Sequence, residues 1–220
     1  PSAMPFKTGL TFTYDCGEFE KNMDLALELA DYKGFEKRRK AACQRGKLLG
    51  LGISNTIERA AAPSAEGAEV RFDRGGSATL YSGSVSQGQG HETTFKQLVC
   101  DRLGLDPNDV RYVQGDTDDV FFGEGTGGSR SATMAGSAFA MATQKIIAKA
   151  RLIAAHALKV PLDDIEFADG VFSSSKTNQT MTIQEVAADA ANPAKIPKDM
   201  EPGLIATAVY KAPVNNYPNG

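Results

Sequence analysis

The chain has no tryptophan, only two histidines and only three cysteines among its 220 residues. Cys16, Cys43 and Cys100 are far apart and odd in number, with no Cys-x-x-Cys or Cys/His pattern. That argues against a disulfide framework and a cysteine metal site, and fits a reducing, cytoplasmic setting. With His91 and His156 alone, a Ser-His-Asp triad has few options. A dominant charge is also missing. The formal net charge of −3 supplies no basic field for nucleic acid or an anionic membrane. The one basic run, Lys37-Arg38-Arg39-Lys40, lies in an amphipathic helical pattern and reads as a solvated face. No apolar stretch is long enough to span a bilayer, and no signal-peptide pattern opens the chain. There is neither an internal repeat nor a low-complexity tract. Pro1 stands where an initiator Met would, and Gly220 closes the chain abruptly, so a piece of a longer protein is expected.

What is present is an ordinary globular composition, 41% hydrophobic and 23% charged. Phe19, Met23, Ala26, Leu27 and Ala30 recur at helical spacing, and Gly34 separates them from a second helix over residues 35–44. Residues 48–57 are apolar with interspersed glycines and predict strand. Residues 68–74 and 78–82 alternate about Gly75-Gly76 as a β-hairpin. A glycine-rich turn then enters a helix over 91–103, stopped by Gly104 and followed by Pro107. A short strand spans 110–114. The longest helix, over 133–158, carries Phe139, Ala142, Ile146, Ala150, Ile153 and Ala157 on one face and small residues in its first turns. A strand pair near 165–173, a helix near 183–191 and a strand over 205–210 complete the pattern. The expected fold is α+β, mixed sheets packed with helices, with an N-terminal helical segment at 1–46 and an α+β region at 47–220.

Two features have the same form. Ser86-Gln-Gly-Gln-Gly-His-Glu-Thr93 and Gly123-Glu-Gly-Thr-Gly-Gly-Ser-Arg-Ser131 are each glycine-rich turns feeding a helix start. There the first backbone N–H groups lack intrahelical partners and the dipole is positive, which suits an anionic, hydrogen-bonding ligand. Gln89, His91, Thr93, Ser129, Arg130 and Ser131 would add side-chain partners, Arg130 as a bidentate phosphate contact. Either loop alone is more often a helix cap, and two in one small domain shift the balance towards a ligand.

Better-known motifs miss. The first loop lacks the last glycine of a dinucleotide fingerprint and the lysine of a P-loop. His91-Glu-Thr-Thr-Phe95 puts Phe where a zinc-binding HExxH needs its second His. Ser131 stands where a nucleophile elbow needs Gly. Asp116, Asp118 and Asp119 lack the rest of a calcium loop and read as a turn bonded to its own backbone.

Together, Gly88-Gln-Gly-His-Glu-Thr93, Gly115-Asp-Thr-Asp118 and Gly125-Thr-Gly-Gly-Ser-Arg-Ser131 resemble the molybdopterin-binding region of the xanthine dehydrogenase and aldehyde oxidase family. The His after the second glycine and the Ser-Arg-Ser element are similar to its carbon monoxide dehydrogenase large-chain type. So are Thr13-Tyr-Asp-Cys-Gly17, Leu25-Ala-Leu-Glu-Leu-Ala30 and Gly46-Lys-Leu-Leu-Gly-Leu-Gly52. The resemblance covers nearly the whole chain.

It implies an oxidoreductase large subunit holding molybdopterin cytosine dinucleotide, acting on a small aldehyde, N-heterocycle or CO. Iron–sulfur clusters and FAD would sit on partner subunits. It implies cofactor contacts from Gln89, Gly90, His91 and Thr93, with Gly128, Ser129, Arg130, Ser131, Gly136 and Ser137 as the facing wall. The family's catalytic Glu lies near the end of its large subunit; no matching Glu follows the loops here, so the piece alone is expected to be inactive. Glu124 departs from the residue types such a loop carries. The alternatives are a stand-alone nucleotide- or phosphometabolite-binding module, or loops that merely cap helices.

Overall fold

The computed structural model describes residues 4–9, 12–57, 60 and 64–213, so Pro1 and Gly220 lie outside the described residues. The described residues form two compact units, one up to residue 60 and one beyond it. Residues 47–57, grouped on sequence with the second region, cluster with the first unit.

In the first unit a two-residue ladder pairs β1 (Phe6–Lys7) with β2 (Thr13–Tyr14). Helices α1 (Phe19–Leu29) and α2 (Phe35–Gln44) follow, where the apolar spacing places them. Asp31 between them has a left-handed backbone, and its carboxylate accepts the Gly34 N–H at 3.1 Å. Within the basic run, Arg38 reaches back to Asp31 and to the Ala30 carbonyl. No residue of α1 is buried, and Leu25 and Leu29 are exposed. The strand expected over 48–57 does not form. Residues 47–57 carry no regular structure, and Leu48, Leu51 and Ile53 stand exposed. Apolar alternation makes a strand only where a ladder partner covers it.

The second unit is built on a four-stranded sheet. Its hairpin joins β3 (Ala65–Phe72) to β4 (Ala78–Ser82) about Gly75-Gly76, with Val70 opposite Leu80. Helix α3 (His91–Leu103) then crosses over, so that β5 (Val110–Gln114) pairs parallel to β4. Helix α4 (Ser131–Leu158) follows, then a small antiparallel sheet of β6 (Ile165–Ala168), β7 (Val171–Ser174) and β8 (Gln179–Thr182). Helix α5 (Ile183–Ala190) opens with a capping box, Thr182 and Glu185 each holding the other's backbone N–H. The last strand, β9 (Ile205–Lys211), closes the large sheet as β5-β4-β3-β9.

Helix α4 lies on β3 and β9 with α3 and α5 beside it. Ala135, Ala138, Phe139, Ala142, Ile146, Ala150 and Ile153 are buried, the i, i+3, i+4, i+7 series of one face. They meet Ala68, Val70, Leu80, Ala206 and Ala208 of the sheet in one core. The alanines on both sides let the helix backbone approach the strands closely. This α+β architecture matches the sequence expectation. Strand β8 and the 65–67 start of β3 do not follow from the alternation pattern. No helix among the described residues is long and apolar enough to cross a membrane.

Candidate functional site

Two helix starts, 40 residues apart in sequence (His91 and Ser131), open on one cleft of about 470 Å³. Gln87, Gln89, His91, Thr94 and Phe95 line one side, and residues 126–132 line the other. Gly90 caps α3 with a left-handed backbone, φ +73°, a conformation glycine adopts without strain. Gly125 and Gly128 are likewise left-handed, and a Cβ on either would meet nothing within 4 Å. The second loop therefore presents bare backbone to the cleft.

The first bonds inside the helices run from Thr94 N–H to Gly90 at 3.0 Å and from Met134 N–H to Arg130 at 2.7 Å. The N–H groups of His91, Glu92 and Thr93, and those of Ser131, Ala132 and Thr133, thus have no intrahelical acceptor. Two positive dipole ends share one opening.

His91 is one of the buried polar groups of this cleft, with Arg130 and Ser131. It is 6% exposed, and its Nδ1 is buried with no hydrogen-bond partner. The ring lies 5.4 Å from Phe95, which packs in turn on Phe139 at 5.2 Å and Tyr112 at 6.0 Å. Burial pushes the Tyr112 phenol up to about 12, and its O–H donates to the Ser84 carbonyl at 3.2 Å. Burial also lowers the His91 pKa, so the imidazole is neutral at pH 7 and offers the cleft one donor and one acceptor without charge.

Unfolded, His91 takes a proton below about pH 6.5, whereas the folded chain resists it. Its contribution is level above that pH and turns unfavourable as pH falls. His91→Gln is expected to remove part of the stability loss between pH 7 and pH 5, read as the difference between two pH–melting profiles. Parallel profiles would contradict a buried neutral imidazole.

Arg130 is placed otherwise than a phosphate clamp requires. Its residue is 7% exposed, and its guanidinium points inward. It meets Glu66 at 2.6 Å, the Ala65 carbonyl at 2.5 Å, Ser64 Oγ at 3.1 Å and the Gly125 carbonyl. Its donors are already engaged, so this guanidinium, the only cation lining the cleft among the described residues, is neutralised from within. Glu124, the departure in this loop, lies 3.6 Å from the same guanidinium and adds to that neutralisation.

The remaining expected residues divide. Gln89, Gly128, Ser129 and Ser131 join His91 and Arg130 around the cleft, with Gly90 setting the entry to α3. Ser131 Oγ is 3.1 Å from Thr126 Oγ1. Thr93 is exposed and does not line the cleft; Thr94, the next residue round the helix, does. Gly136 faces Phe95 and Leu98 of α3, which an added Cβ would meet only in ordinary contact at 3.9 Å, and Ser137 lies beyond the lining. The Asp116 turn is bonded to its own backbone, its carboxylate accepting Asp118 N–H at 2.9 Å. His156 is exposed at the end of α4. Among the described residues no three His, Cys, Asp or Glu side chains gather as a metal site.

Glu66 is the residue that sequence reasoning missed. Its signal was an acid in phase with Ala68, Val70 and Phe72, the core-facing series of β3.

The model of the family described as the molybdopterin cofactor-binding domain matches residues 25–220. The chain is 35% identical to the carbon monoxide dehydrogenase large chain of Afipia carboxidovorans, over 100% of itself and 29% of that chain. It is 33% identical to the 6-hydroxypseudooxynicotine dehydrogenase complex subunit gamma of Paenarthrobacter nicotinovorans, over 99% of itself and 28% of that subunit. The crystal structure of Cu,Mo-CO dehydrogenase superposes with a TM-score of 0.76 and 35% identity, covering 99% of this chain and 29% of that one. Quinoline 2-oxidoreductase from Pseudomonas putida 86 gives the same TM-score at 29% identity, covering 97% and 29%. The chain spans less than a third of the length of these relatives.

Proposed function

We infer, because this chain belongs to the molybdopterin cofactor-binding domain family, that its cleft holds part of molybdopterin cytosine dinucleotide. The parent protein would be the large subunit of a molybdenum hydroxylase. One observation carries this reading. Two glycine loops bring two helix starts to one cleft, beside a buried histidine nitrogen without a partner.

The donor set fits such a group. Free backbone N–H groups at Ser131, Ala132 and Thr133 suit a phosphate oxygen. Gln89, neutral His91, Thr94 and Ser131 suit the mixed donors and acceptors of a pterin or its linker. With Arg130 neutralised, binding would rest on oriented dipoles and hydrogen bonds. Gly90, Gly128 and Ser129 would shape the backbone around it, while Thr93, Gly136 and Ser137 would act from outside the cleft. When bound, the molybdenum group supplies the oxidative hydroxylation chemistry. The residues lining the cleft would bind and orient it. The substrate, a small aldehyde, N-heterocycle or CO, and the iron–sulfur and flavin subunits belong to the parent protein.

Expressed within its parent subunit and with those partners, the protein should release close to one CMP per molybdenum on acid hydrolysis. Release of GMP or AMP instead, or a folded parent free of molybdenum, would contradict the reading.

A further inference from the structure

We propose that Glu66 and Arg130 form a buried latch that holds the second glycine loop as a preformed wall, making both of them positioning residues for the ligand. This deepens the reading above and rests on it.

The wall is pinned from beneath at both ends. At its start, Glu66 Oε2 accepts the Glu124 N–H at 3.2 Å. In the next residue, the Gly125 carbonyl accepts from the Arg130 guanidinium. At its end, Arg130 is also the residue that caps α4. Its guanidinium reaches back under the loop to Glu66 and to the Ala65 carbonyl at the start of β3. Residues 126–129 lie between these pins, and they face the cleft.

The carboxylate is enclosed as tightly as it is paired. Glu66 is wholly buried, and Oε1 has no hydrogen-bond partner. A Cβ added to Gly83 would come within 2.7 Å of Oε1, and one added to Gly123 within 2.6 Å. The two glycines give the carboxylate a slot between the β4 turn and the loop. A buried pair of this kind is weak evidence for stability, since apolar residues of similar volume often replace one without loss. Its value here is geometric. Strand β3, the loop and the start of α4 are set by one guanidinium, which fixes where the free N–H groups of α4 point.

The test has two arms. In the chain without ligand, Glu66→Gln is expected to speed amide hydrogen exchange at Glu124, Arg130 and Met134 at least tenfold. Exchange in β4 and in α4 beyond its second turn should stay as in the wild type. Unchanged exchange at those three amides would overturn the latch, whatever the cleft binds. In the parent subunit with its partners, the double variant Glu66→Met with Arg130→Met should keep a melting temperature near the wild type. It should lose bound molybdenum and CMP at least tenfold faster on dilution. A stable double variant that releases both at the wild-type rate would overturn the positioning role. If the double variant fails to fold, release from the Glu66→Gln parent decides, with the same threshold. A parent that never contains molybdenum would sink the functional reading and leave the exchange arm to judge the latch.

Discussion

Alanine at Gly104 is expected to destabilise the chain by at least about 3 kcal/mol, lowering its melting temperature by about 6–12 °C. Gly104 ends α3 with φ +64°, and its N–H closes on the Cys100 carbonyl at 2.8 Å. The left-handed backbone alone costs a non-glycine residue about 1–2 kcal/mol. The larger part is space. A Cβ at Gly104 would overlap the carbonyl carbon of Asp169 and the nitrogen of Gly170, both backbone atoms of the β6–β7 turn. No rotamer change can relieve a contact with backbone. Gly203 is the internal control: it has φ +90°, but a Cβ there would first meet a side-chain carbon of Ile205 at 3.4 Å, an ordinary contact. Gly203→Ala should therefore cost only about 1–2 kcal/mol, the backbone term by itself. Thermal unfolding of the two variants separates the terms, and equal losses would mean that the α3 end and the β6–β7 turn do not touch as described.

The second large effect concerns binding, and it separates a ligand site from a helix cap. Ala132 is exposed, lines the cleft and lies in the first turn of α4. A carboxylate in a first turn faces the positive dipole end and typically stabilises a helix by about 0.3–1 kcal/mol. If the loop only caps α4, Ala132→Asp is a neutral or stabilising change. If an anionic group sits on those N–H groups, the new charge repels it. At about 5 Å and an effective dielectric of about 20, that repulsion is about 3 kcal/mol, more than a hundredfold in affinity. Stability and binding should thus move in opposite directions, an outcome that general damage to the fold does not produce.

Much of this was legible in the residues, for reasons that are local. Gly104 and Pro107 stop α3 where the apolar spacing ends, and α3 and β5 have the bounds that pattern implies. The two glycine loops were legible because a helix start exposes N–H groups wherever it occurs. What failed to show depends on distance or on angle. The destination of Arg130 could not be read from its own loop, because its partner Glu66 lies on a strand 64 residues earlier. Thr93 and Thr94 differ by one step, about 100° around a helix. The motif marks the turn, and only the packing of Phe95 and His91 settles which threonine faces the cleft. Gly136 and Ser137 sit past the first turn of α4, where the backbone N–H groups are already bonded within the helix. Strand β8, Gln-Thr-Met-Thr, has no buried residue to alternate. Conversely, residues 48–57 show apolar residues with no ladder partner.

The most direct measurement is the molybdenum and CMP content of the purified parent subunit, with its partners, carrying Ala132→Asp and compared with the wild type. The expected result is a melting temperature, measured without cofactor, equal to or above that of the wild type, with both contents reduced at least tenfold. A variant of equal stability that keeps its full molybdenum and CMP would contradict an anionic cofactor at the start of α4.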